Sequence, residues 1–189
     1  MSQVASSASQ ESSRDRLVHV IQGEYGVSSD PGVIYTTILG SCVATCIWDP
    51  LARVGGMNHF LLPGEQEGRG DSKRYGVNAM ELLINALLQK GAARSRLQAK
   101  LFGGAHVIKN LSDVGAQNAE FALRFLTDEG ITCIAKSLGG NRARRVRFWP
   151  TDGRAGQMLL ESISPEVLIA ERARKVPVAV QEGSAELFD

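Results

Sequence analysis

In RLVHVIQGEYGV (16–27), Leu17, His19 and Ile21 alternate with Val18 and Val20, the period of a strand, and the run ends in a glycine turn. SSDPG (28–32) is turn chemistry. VIYTTIL (33–39) is β-branched and aromatic and reads as a second strand. Gly40 and Ser41 interrupt it, and CVATCIWD (42–49) resumes the pattern. After the loop PLARVGG, the segment MNHFLLP (57–63) reads as a short strand stopped by Pro63. These neighbouring segments are expected to pair antiparallel.

The period then changes. GEQEGRGDSKRYG (64–76) is polar and glycine-rich and reads as an exposed, mobile loop. In VNAMELLINALLQKGA, the residues Val77, Met80, Leu83, Ile84, Leu87 and Leu88 fall at helical spacing, with Gly91 as the C-terminal cap. LQAKLFGGA (97–105) is a strand ending on a double glycine. VGAQNAEFALRFLTDEG (114–130) is a second amphipathic helix, with Ala119, Ala122, Leu123 and Leu126 inward. ITCIAKSLGG, RRVRFWP and GQMLLESI are strands, and SPEVLIAERARKV (164–176) opens with the serine and proline of a helix start. Seven or eight strands and two or three helices, without internal repeat or linker, predict one α+β domain. Its form is a sandwich of mostly antiparallel β-sheet with two main helices packed on one face. The expected boundaries are a disordered segment at 1–15, the folded domain at 16–176, and a tail at 177–189.

Composition narrows the function classes. The chain has 189 residues, enough for one domain with a real core. A net charge of +1 gives no bulk attraction for nucleic acid. No apolar run approaches the ~20 residues of a membrane span, and the serine-rich start lacks the apolar core of a secretory signal. Three cysteines, at 42, 46 and 133, make neither a disulfide framework nor a zinc site. Reduced thiols in a cytoplasmic protein fit better, with no metal or cofactor expected.

Cys42 stands where a Gly-Ser turn enters a strand. If the strands after it form a hairpin, its start faces the end of the next strand, which carries His59. An imidazole there can take the thiol proton and make a nucleophile. A third group usually fixes the ring. Thr36, at an even offset from Cys42, and Thr37 both compete for that place, and the Gly40-Ser41 break weakens the parity argument. Gly40 and Ser41 offer backbone N–H groups to a developing oxyanion. On these grounds alone an inert core cysteine and a satisfied histidine are the commoner reading of such a pair. Cys46 and Cys133 read as core thiols.

The residues that raise this pair above the commoner reading are the segments around it. TTILGSCVATCIWDPLARVGGMNHFLLP, RYGVNAMELLINALLQKGA, AKLFGGAHVI, VGAQNAEFALRFLTDEGI and SLGGNRARRVRFWPTDGRA occur in an order that resembles the CheD family, the chemoreceptor glutamine deamidases of bacterial and archaeal chemotaxis. The likeness covers roughly residues 17 to 163. It implies a cysteine hydrolase that converts glutamine side chains of methyl-accepting chemotaxis receptors to glutamate, releasing ammonia. It puts the nucleophile on Cys42, the histidine on His59 and the threonine on Thr36. It implies a fold similar to the catalytic domain of cytotoxic necrotising factor toxins, and a CheC-type phosphatase as a partner in some species. The alternative is a regulatory binding module for such a phosphatase or receptor, with little turnover.

Other features carry weaker expectations. The arginines between Arg142 and Arg147 read as a solvated strand face, with Arg145 or Arg147 in a local ion pair, rather than as a receptor-binding patch. FGGA (102–105) suits a close backbone approach as well as a flexible strand end. His106 and His19 read as satisfied or surface residues, and Asn118 as help for a helix start. The tail EGSAELFD reads as loose.

Overall fold

A computed structural model of the protein describes residues 15–62, 69–106 and 114–161. The strands are β1 (Arg16–His19), β2 (Tyr25–Ser28), β3 (Val33–Leu39), β4 (Val43–Asp49), β5 (Val54–Phe60), β6 (Gln98–Gly103), β7 (Thr132–Leu138), β8 (Arg144–Phe148) and β9 (Ala155–Leu159). The helices are α1 (Arg69–Gln89) and α2 (Val114–Asp128). A four-stranded sheet runs β1-β3-β8-β9 and a five-stranded sheet runs β2-β5-β4-β6-β7. All neighbouring strands are antiparallel except the pairs β1–β3 and β6–β7. The α+β sandwich expected from the sequence is the observed architecture. Both helices lie against the five-stranded sheet.

Three layers make two cores. Met80, Leu83, Ile84 and Leu87 of α1, with Ala122, Phe125 and Leu126 of α2, bury against Val43, Ile47, Val54, Phe60 and Leu101. Between the sheets, Val33, Tyr35 and Leu39 of β3 meet Cys42, Ala44, Cys46, Trp48 and Met57. The strand period of two sends odd and even residues of β4 to different cores. Among the described residues, no helix is long and apolar enough to cross a membrane.

Four expectations are corrected. First, β3 and β4 do not pair: the Gly40-Ser41 break carries the chain from one sheet to the other. Second, the run 16–27 holds two strands in different sheets, because Gly23, at φ 86°, turns the chain between them. Third, β5 begins at Val54 rather than 57. Gly55 and Gly56 are strand residues, where an added Cβ would stand 2.2 Å from Pro150 O and 2.5 Å from Gly26 O. Fourth, α1 begins at Arg69, inside the stretch read as a loop. Gly76 lies within this helix, where a Cβ would stand 2.6–2.7 Å from Leu62 and Phe121, so only glycine fits. The expected final helix (164–176), the tail and residues 1–14 lie outside the described residues.

Candidate active site

The hairpin of β4 and β5 puts Ala44 directly opposite His59 and Val43 opposite Phe60. Cys42, one residue before β4, shares Ala44's face, so it is the diagonal neighbour of His59 on the side toward the other sheet. Diagonal neighbours of this kind have Cα atoms roughly 7–8 Å apart, within reach of a histidine ring. Both Cys42 and His59 are buried.

The ring of His59 is oriented from the opposite sheet. Thr37 Oγ1 lies 2.9 Å from Nδ1, and Val20 O lies 3.3 Å from the same nitrogen. A bond to the Val20 carbonyl requires the proton on Nδ1, the tautomer that leaves a lone pair on Nε2. Nε2 is buried and has no hydrogen-bond partner among the described residues. Burial pulls the His59 pKa from 6.5 down to about 4, against the opposing pull of the Val20 carbonyl. The resting ring is therefore a neutral, unpartnered base.

Thr36 does not hold this ring. Its hydroxyl donates to Val146 O at 2.8 Å on the neighbouring strand. The reason is parity within β3: Val33, Tyr35 and Leu39 face the other sheet, and Thr37 shares their face while Thr36 does not. The hydroxyl beside the imidazole is that of Thr37, where the resemblance points to Thr36.

The turn before β4 is held by its carbonyls. Ala105 N–H donates to Gly40 O at 2.8 Å and Gly104 N–H to Cys42 O at 2.8 Å, while Asn118 Nδ2 donates to Ser41 O at 2.9 Å. No acceptor among the described residues takes the N–H of Gly40 or Ser41. The FGGA segment is thus a close backbone approach to the turn. A Cβ on Gly103, at φ 114°, would stand 2.1 Å from Cys42 O. Asn118 is fully buried, and its Oδ1 also accepts from Leu62 N–H at 2.8 Å. It ties the exit of β5 to the turn before β4 and does not cap its own helix. Its position five residues into an amphipathic helix, on the apolar side, was the available signal.

Another side chain approaches the thiol: Gln22 Oε1 lies 3.7 Å from Cys42 Sγ. Burial raises the pKa of the Tyr75 phenol, and negative charge on Cys42 raises it further. Cys46 is buried in the inter-sheet core, and burial drives its thiol far above the ordinary range. Cys133 is half-buried against the helix-side core. His106 lines a groove of about 720 Å³ beside α2, with Glu120, Arg124 and Lys136. Of the basic run, Arg145 and Arg147 are exposed. Arg144 is buried instead, its guanidinium bonded to the side chain and carbonyl of Ser137 and to Gly139 O.

Comparison with known proteins places this arrangement in a family. A family profile described as CheD chemotactic sensory transduction matches residues 61–158. A protein of Agrobacterium fabrum, named "Probable chemoreceptor glutamine deamidase CheD", is 57% identical over 163 residues, 86% of this chain and 90% of that one. The chain belongs to the CheD family. A relative in Acidiphilium cryptum with the same name is 53% identical over 178 residues, covering 92% of this chain and 94% of its own. Among solved structures, this CheD-family chain is similar to the Bacillus licheniformis hypothetical protein YfiH at a TM-score of 0.41 and 13% identity, over 68% of this chain and 61% of that one.

Proposed function

We propose that this protein is a chemoreceptor glutamine deamidase in which Cys42 is the nucleophile and His59 its base. Receptors of the methyl-accepting type are its substrates. The observation that carries the reading is the buried, unpartnered Nε2 of His59, its tautomer fixed by Val20 and Thr37, on the same face as the neighbouring Cys42.

The chemistry follows from acyl transfer. Cys42 gives its proton to Nε2 as sulfur attacks the glutamine side-chain carbonyl carbon. The N–H groups of Gly40 and Ser41 receive the oxyanion. The protonated ring then gives its proton to the departing nitrogen, and ammonia leaves behind a thioester. Nε2 takes a proton from water, whose oxygen attacks the thioester, and glutamate is released with the thiol restored. The Val20 carbonyl and Thr37 stabilise the ring while it carries positive charge.

Mass spectrometry of receptor cytoplasmic fragments tests this. Wild-type protein should add about 1 Da at chosen glutamines, and Cys42→Ala should add nothing, as expected for loss of a covalent nucleophile. Tight binding without a mass change would overturn the enzyme reading in favour of a binding module. The reading places the protein in the cytoplasm and keeps a CheC-type phosphatase as a partner, which co-purification of the two proteins would test.

A further inference from the structure

The segment Val20–Glu24 is tied to His59 on both sides of Gln22. Val20 O takes Nδ1 of the ring. Gly23 N–H donates to His59 O at 2.8 Å, and His59 N–H donates to Glu24 O at 3.1 Å. Glu24 N–H closes the turn onto Ile21 O at 3.0 Å, and Val20 N–H is held by Thr36 O at 2.9 Å. The backbone of Gln22 is therefore fixed against the strand that carries the base. Its half-buried side chain reaches the thiol at 3.7 Å, and the mechanism above gives it no task.

We propose that the side-chain amide of Gln22 is a catalytic hydrogen-bond donor to the oxyanion formed when Cys42 attacks the substrate amide. This rests on the deamidase reading above. A carboxamide suits the position because it offers both an acceptor and two donors. At rest the thiol S–H donates to Oε1. Once the proton has passed to His59, an oxygen facing negative charge is repelled. The terminal torsion of a glutamine is soft and roughly two-fold, so a half-turn presents Nε2–H at little cost. The donor then meets the new charge together with Gly40 and Ser41 N–H. Because the backbone is pinned, only that torsion needs to move, the preorganisation that makes an oxyanion donor effective.

The test compares Gln22→Ala and Gln22→Glu with wild type in two assays: deamidation of receptor fragments, and alkylation of Cys42 by iodoacetamide. Alkylation needs the thiolate but forms no oxyanion. Gln22→Ala should lower kcat about 100-fold, the typical loss for one oxyanion donor, while Cys42 alkylates within a few-fold of wild type. Gln22→Glu keeps the shape, lacks the donor, and should lose kcat similarly, with circular dichroism confirming the fold. Retained or increased kcat in Gln22→Ala overturns the proposal, an increase marking the side chain as an obstacle the substrate displaces. Equal losses in kcat and alkylation also overturn it, since Gln22 would then serve the thiol and not the oxyanion. Wild-type protein that releases no ammonia would instead sink the deamidase reading, and the role of Gln22 with it.

Discussion

The two threonines of β3 can be separated by paired substitutions to valine, which keep shape and remove the hydroxyl. Thr37 Oγ1 stands 2.9 Å from His59 Nδ1, and both groups are buried. In Thr37→Val the ring keeps only Val20 O, at 3.3 Å. The lost bond matters most when the ring is protonated, and a hydrogen bond to a charged group contributes about 1.5–3 kcal/mol. If that loss falls on the transition state, kcat drops about 10- to 150-fold, at 1.36 kcal/mol per decade. Thr36→Val removes instead a hydroxyl bond to Val146 O. That costs about 1 kcal/mol of stability, a Tm decrease of about 2–4 °C for a protein of this size, and leaves kcat within a few-fold. Ammonia release from receptor fragments and thermal unfolding, measured on both variants, give the comparison. A folded Thr36→Val protein without activity, beside an active Thr37→Val, would refute the assignment of Thr37 and the parity argument behind it.

Three further outcomes follow from the same geometry. The folded His59 pKa, about 4 against 6.5 unfolded, means that the unfolded chain binds the proton more readily. Stability is therefore full above pH ~6.5 and falls by about 3 kcal/mol as pH drops toward 4, a slope that urea unfolding should show in wild type and lose in His59→Gln. Asn118→Leu removes the partners of Ser41 O and Leu62 N–H, both half-buried, which should cost about 1–3 kcal/mol. It should also lower kcat by loosening the turn, whereas unchanged activity would show that Asn118 only supports the fold. Asp49 is buried and accepts from Arg96 and from the N–H groups of Leu51, Ala52 and Ala93. Burial alone would raise its pKa, but these bonds more than reverse it. Asp49→Ala should cost about 3–5 kcal/mol in chemical unfolding and leave kcat intact, because Asp49 ends β4 about 23 Å from Cys42.

How much of this the sequence discloses depends on the range of the interaction. The register that sets Cys42 diagonal to His59 was legible because it is a hairpin property. Two adjacent strands with a short turn fix a register, and an alternating pattern fixes the face. The glycines misled where they serve close packing rather than turns. Gly55, Gly56 and Gly76 read as breaks, yet each sits inside an element where neighbouring atoms leave no room for a side chain. Asn118, which arrives by helix packing, left only one trace, a polar residue on the apolar side of α2. Gln22 was not legible: it comes from a turn that precedes Cys42 by 20 positions, and that relation leaves no periodic trace.

The choice between Thr36 and Thr37 at the ring has the same origin. Counting back from Cys42 assumes one continuous strand, but the chain changes sheets at Gly40-Ser41, so parity does not carry across. The inward face of β3 has to be read from its own apolar residues, Val33, Tyr35 and Leu39, and these select Thr37. That crossing is also why the site can exist. A continuous strand would commit the N–H groups of its residues to a ladder. At a crossover they are released, while Ala105, Asn118 and Gly104 hold the carbonyls and keep the turn in shape. Cys42 and His59 then stand on one sheet, and the groups beside the His59 ring, Thr37 and Val20, come from the other side of the inter-sheet core. Basicity and aim at Nε2 are thus set by the packing of the two sheets, not by the hairpin that brings the histidine to the cysteine.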